Sequence, residues 1–142
     1  MTVRKTRNDT DFWYCQYDPT TEYKVLDSYG NETGEIVPAY GAAVPAYANI
    51  SPAVGVAQTE LFGALESYDK VIVTRDMECP ITEQSVLFID KQPEWVNIPT
   101  YAIANNTVAN VTYQVPAYDY IVKRVARGLD SISYAVRKVE IG

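Results

Sequence analysis

Tyr118-Asp119-Tyr120-Ile121-Val122-Lys123-Arg124-Val125-Ala126 and Asp130-Ser131-Ile132-Ser133-Tyr134-Ala135-Val136-Arg137-Lys138-Val139 read as two strands joined across Arg127-Gly128-Leu129. On the second, Ile132, Tyr134 and Val136 share one face, while Ser131, Ser133 and Arg137 share the other. That period-two alternation is what a strand with one buried face requires. A terminal antiparallel hairpin follows, and it sets the expectation for the rest of the chain.

Upstream, the same β signals recur at short intervals. Asp11-Phe12-Trp13-Tyr14-Cys15-Gln16-Tyr17 is an aromatic-dense strand. Asp18-Pro19-Thr20-Thr21 reads as a turn, and Glu22 to Tyr29 as the hairpin partner, ended by Gly30-Asn31-Glu32-Thr33-Gly34. Lys70-Val71-Ile72-Val73-Thr74 and Ser85-Val86-Leu87-Phe88-Ile89-Asp90 are further strands, with a turn over Cys79-Pro80-Ile81-Thr82-Glu83 between them. Val-Pro-Ala-Tyr occurs at 37–40, 44–47 and 115–118. Each proline removes a backbone donor, which suits edge strands or extended loops. Val54 to Ser67 is ambiguous, with Thr59-Glu60-Leu61-Phe62 either one helical turn or a short strand. Lys91 to Pro116 reads as a hairpin about Asn105-Asn106 or as a loose excursion. The fold expected is therefore mainly β: a small antiparallel barrel of six to seven strands, with at most one short helix. It forms one domain over 1–142, with long loops near 34–45 and 91–116.

Composition agrees. The 142 residues include 12 tyrosines and are 47% hydrophobic, enough for one core and tilted towards strands. No run of 18 apolar residues and no hydrophobic segment after the basic start Arg4-Lys5-Arg7 is present, so neither a membrane span nor a secretion signal is expected. Five Asn-x-Ser/Thr triplets then read as polar turn material. The charge is segregated. Residues 8–122 hold 4 basic and 16 acidic groups, while 1–7 and 123–142 each carry a net +3. An acidic body argues against tight binding to a nucleic-acid backbone; it suits solubility first, or else a surface that DNA passes without being held.

The chain has no histidine, which removes the commonest general base, the usual zinc ligand and every Ser-His or Cys-His nucleophile pair. Cys15 lies in the aromatic strand and Cys79 precedes Pro80; both read as free, inert thiols. The pairs Asp76/Glu78 and Asp9/Asp11 read as solvated loop carboxylates, too few for calcium. No glycine pattern cradles phosphate. Trp13 and Trp95 lack the basic groove a single-strand platform needs. No catalytic, cofactor-binding or metal-ligating residue is assigned, no cofactor is expected, and the chain does not read as an enzyme.

The segment order carries one resemblance. Tyr47-Ala48-Asn49-Ile50-Ser51-Pro52 is followed by Glu60-Leu61-Phe62-Gly63, Tyr68-Asp69-Lys70-Val71-Ile72-Val73, the Cys79–Glu83 turn, Ser85–Ile89 and the terminal hairpin. Over roughly residues 44–90 and 117–139 this resembles the head–tail joining proteins of tailed bacteriophages, the head-closure or stopper type. The resemblance implies a β-barrel that forms a ring, commonly of twelve copies, in the neck of the virion. Its partners would be copies of itself, a portal or adaptor protein on the head side, and a tail-terminator or tail-tube protein on the tail side. Double-stranded DNA would pass through the lumen, no membrane would be involved, and the chain would be made in the bacterial cytoplasm. The loops at 34–45 and 91–116 would reach neighbours, with Tyr101, Ile103, Val108, Val111 and Tyr113 covered only on assembly. Other readings are a tail-terminator or tail-completion subunit, or a non-viral β-barrel binding module with Trp13 or Trp95 in its site.

Overall fold

A computed structural model describes residues 9–52 and 68–139. Every regular element among them is a strand: β1 (Asp9–Cys15), β2 (Tyr17–Leu26), β3 (Glu32–Tyr40), β4 (Val44–Pro52), β5 (Lys70–Thr74), β6 (Val86–Phe88), β7 (Trp95–Ala104), β8 (Thr107–Pro116), β9 (Tyr120–Arg127) and β10 (Ile132–Lys138). Six close into an antiparallel barrel in the order β1-β4-β5-β10-β9-β6, and the other four form a sheet ordered β3-β2-β7-β8. The mainly β barrel expected from the sequence is present. The ambiguous stretch Val54–Ser67 lies wholly outside the described residues.

The terminal hairpin is the barrel's most complete ladder. β10 pairs with β9 along its whole length and with β5 on its other side, so neither of its edges is free. Ile132, Tyr134 and Val136 are fully buried and meet Phe12, Ile72, Leu87, Tyr120 and Val122 in the barrel interior. Large aromatic side chains are what fill a six-stranded bore, where six small residues would leave voids. At the rim, the buried Asp119 carboxylate accepts hydrogen bonds from the backbone N–H groups of Ile89 and Asp90, both at 2.9 Å. Asp119 thereby ties the exit of β6 to the entry of β9.

Four expectations change in the fold. First, β1 and β2 are not a hairpin: β1 pairs with β4 and β6, while β2 pairs with β3 and β7. The chain leaves the barrel at Gln16, whose side chain donates to Pro80 O at 2.7 Å and accepts from Ser85 Oγ at 2.6 Å. Second, Asp18–Thr21 is a bulge inside β2 rather than a turn, since the pairing register jumps between Asp18 and Glu22. The Asp18 carboxylate stabilises it by accepting from Thr20 N and Oγ1. Third, the segment 34–45 is mostly strand, with only residues 41–43 between β3 and β4. Fourth, 91–116 is not a long loop: from Trp95 it is the hairpin about Asn105-Asn106 that the sequence also offered, β7/β8, unbroken over ten paired positions from Trp95↔Pro116 to Ala104↔Thr107. Its tip places Asn105 (φ 51°) and Asn106 (φ 60°) in the left-handed region, the backbone of a two-residue type I′ turn, which asparagine tolerates.

The prolines sit where their missing donors cost least. Pro38 is on β3, an edge of the second sheet. Pro45 is on the part of β4 that pairs with β1 alone, since β4–β5 pairing starts only at Asn49.

Candidate functional site

Two features stand out from the barrel: an arm and a cleft. The arm consists of two hairpins, β2/β3 inserted between β1 and β4, and β7/β8 inserted between β6 and β9. Residues 95–116 contain no charged side chain. The hairpins are joined to one another rather than waving independently. Leu26 pairs with Tyr101, and the rings of Tyr23 and Tyr113 stack 4.2 Å apart at 9°. Gly30, with φ +86°, turns tightly against Val108, where an added Cβ would lie 2.8 Å from Val108 Cγ2. Tyr101, Val108, Val111 and Tyr113 are consequently half-buried within the chain already, and of the five residues expected to await assembly only Ile103, 57% exposed, stands out from it. The arm's root is packed on the barrel through Tyr40, whose ring lies 5.9 Å from Tyr17 and 6.3 Å from Tyr118.

The tip of the arm is the turn Asp27–Asn31. The Asp27 carboxylate accepts from Tyr29 N at 2.9 Å and Asn31 N at 3.0 Å, and Asp27 O accepts from Gly30 N at 3.0 Å. This network holds Tyr29 outward, 85% exposed. A second exposed apolar tip is Leu129, on the β9–β10 turn, fully in solvent.

The cleft opens at the root of the arm, on the barrel, and encloses about 260 Å³. Phe12, Tyr14, Ile72, Ile81 and Tyr134 form its apolar floor, and Asp9, Arg75, Asp76 and Cys79 its rim. The rim charges are mixed: Arg75 lies 3.9 Å from Asp9, with Asp76 beside them. Among the described residues, Tyr134 Oη is buried with no hydrogen-bond partner. The Cys79 thiol acts on it electrostatically but lies outside hydrogen-bond geometry. Burial first, then Cys79 and Asp76, push both the Tyr14 and Tyr134 hydroxyls above the ordinary phenol range. Both remain neutral donors at physiological pH.

The residues weighed in the sequence fall as follows. Cys15 is fully buried, and burial raises its thiol to about 11, so it stays protonated. Cys79 is a free thiol at the cleft. Asp76 is spent on its own turn, accepting from Glu78 N at 3.0 Å. Among the described residues no group of three or more carboxylates or thiols could hold a metal. Trp13 packs half-buried against Cys15, Val86 and Phe88, and Trp95 sits at the base of the arm; neither lines the cleft. Sequence reasoning missed the cleft because its lining is gathered from β1, β4, β5, β10 and the 76–81 turn. The one local signal was the Phe12/Tyr14 alternation. A further polar knot lies on the barrel wall, where Asp90 receives Lys70 Nζ at 2.9 Å and Tyr120 Oη at 2.8 Å.

Comparison with protein-family models, with curated proteins and with solved structures found no match for this chain.

Proposed function

We propose that the chain is a non-enzymatic structural subunit of a tailed-phage neck, forming a ring between the portal or adaptor and the tail. The observation that carries this reading is the closed barrel bearing a braced, projecting arm whose distal side chains are exposed and whose 95–116 segment is uncharged. A barrel has no free edge to spare, so contacts with neighbours fall to the arm and to surface recesses. Head-to-tail contacts of this kind, one face of a copy meeting a different face of the next, are what close a ring. The acidic stretch 8–122 supports the same reading, since phosphate would be repelled from a lumen that it lines.

Cryo-electron microscopy of intact particles tests it. A ring of this chain adjoining the portal, with DNA leaking from heads that lack it, is the expected result. A sixfold ring at the tail end assigns it instead as a tail terminator. Absence from particles removes the viral reading altogether.

A further inference from the structure

We propose that Tyr29, at the tip of the arm, is an anchor that seats in the barrel cleft of a second copy of this chain. The inference rests on the ring reading only in requiring another copy, and it names the contact that would link copies.

Three observations converge. The first is presentation. A tyrosine 85% exposed at a turn fixed by Asp27 and backed by Gly30 against Val108 is a rigid, amphipathic side chain already in place. Such pre-organised aromatic anchors carry a disproportionate share of interface energy. The second is the receptor. A cavity of roughly 150 Å³ admits a benzene-sized ring, and the cleft encloses about 260 Å³ over an apolar floor. Its buried Tyr134 hydroxyl has no hydrogen-bond partner among the described residues, a state that is costly until something hydrogen-bonds it. A phenol supplies both a ring for the floor and a hydroxyl for Tyr134. The rim sets Arg75 against the carboxylates of Asp9 and Asp76, so a neutral side chain suits it better than a charged ligand. The third is distance. The cleft adjoins Gln16, where the arm begins. Ten residues of β2 at about 3.3 Å each carry Tyr29 roughly 30 Å away, out of reach of its own cleft. Anchor and receptor on opposite ends of one subunit give a heterologous contact, the kind that propagates into rings.

Leu129 is more exposed still but brings no hydroxyl, and Gly128 N donates to Ser131 O across its turn. It serves as the control. Sedimentation velocity at high protein concentration, with the reactivity of Cys79 towards a neutral maleimide as a second readout, tests the contact. Wild type and Leu129→Ala should associate and protect Cys79 together. Tyr29→Ala should weaken association by about tenfold or more and leave Cys79 open. Ala46→Trp, filling the cleft, should not self-associate, yet mixed with Tyr29→Ala it should give one-to-one heterodimers that grow no further. Should Ala46→Trp fail to fold, Tyr134→Phe keeps the volume and removes the hydroxyl. It should weaken association several-fold, with no added loss when combined with Tyr29→Phe. A wild type that remains monomeric throughout, a Tyr29→Ala that associates like wild type, or a Cys79 equally reactive in monomer and assembly each overturns the contact. None of these outcomes touches the ring reading, which stands or falls on where the chain sits in the particle.

Discussion

At single residues, the chain spends its polar groups on fixing geometry. Burial works against the Asp90 carboxylate, but hydrogen bonds from Lys70 and Tyr120, with the charges of Lys70 and Lys138, hold it below its ordinary value. A carboxylate depressed in the folded state stabilises above the unfolded value near 3.9, and that contribution is lost as pH falls through the folded value. Asp90→Asn should therefore cost about 0.5–1 kcal/mol at neutral pH, a small figure because the pair is partly solvated, and almost nothing in strong acid. Urea melts of both proteins at the two pH values check this. The cysteines differ for a packing reason. Cys15→Ser puts a hydroxyl into an apolar cluster with Val86 and Phe88 and should cost about 1–3 kcal/mol. Cys79→Ser, at the rim of the cleft, should change stability by less than about 0.5 kcal/mol. Equal losses in thermal melts would show that the barrel wall does not exclude water from Cys15.

Among elements, the arm is where the two largest changes of reading meet. A hairpin without charge from 95 to 116 looks orphaned in a one-dimensional view, because its partner lies far upstream, Leu26 pairing with Tyr101 across 75 residues. Folding supplies β2/β3, and the Tyr23–Tyr113 stack joins them. The isolated chain should consequently show slow amide exchange along β7 and β8 before any assembly. Exchange as fast as that of the turns would mean the two hairpins separate in solution. Gly30 is the hinge pin. Gly30→Ala adds a Cβ that meets Val108 in a left-handed backbone and should cost about 1–3 kcal/mol. Most of that loss should appear as faster exchange in the arm, with the barrel amides unchanged.

For the whole molecule, the division of labour is between a closed barrel and an arm that reaches outward. Replacing residues 97–113 with a short Gly-Ser linker should leave the barrel ladders intact while exposing Tyr23. Heads carrying that version should fail to hold DNA or to join tails. Fully infectious particles would make the β7/β8 hairpin dispensable. Since the proposed contact between copies is a single anchor in a single recess, the purified chain should be monomeric in native mass spectrometry at low concentration. Rings should form on a preassembled neighbour, where many such contacts act together.

Strand identity was legible in residues 118–139 because a period-two alternation of apolar residues is written into consecutive positions, and Ile132, Tyr134 and Val136 point into the barrel as their spacing requires, although Ser133 and Ala135 on the other face are buried as well. The absence of histidine, the separated thiols and the acidic body were legible for the same reason: they are properties of composition. Beyond the β9/β10 and β7/β8 hairpins, which strands pair was not. The aromatic run ending at Tyr17 continues smoothly in sequence, yet Gln16 divides it between barrel and arm through bonds to Pro80 and Ser85, more than 60 residues away. The cleft, the stacked tyrosines and the unpartnered Tyr134 hydroxyl likewise exist only once distant strands meet. Local sequence determines a strand's faces, because they depend on backbone geometry alone. Tertiary closure decides its neighbours, because many apolar faces are chemically interchangeable and only the arrangement that satisfies them all at once selects among them.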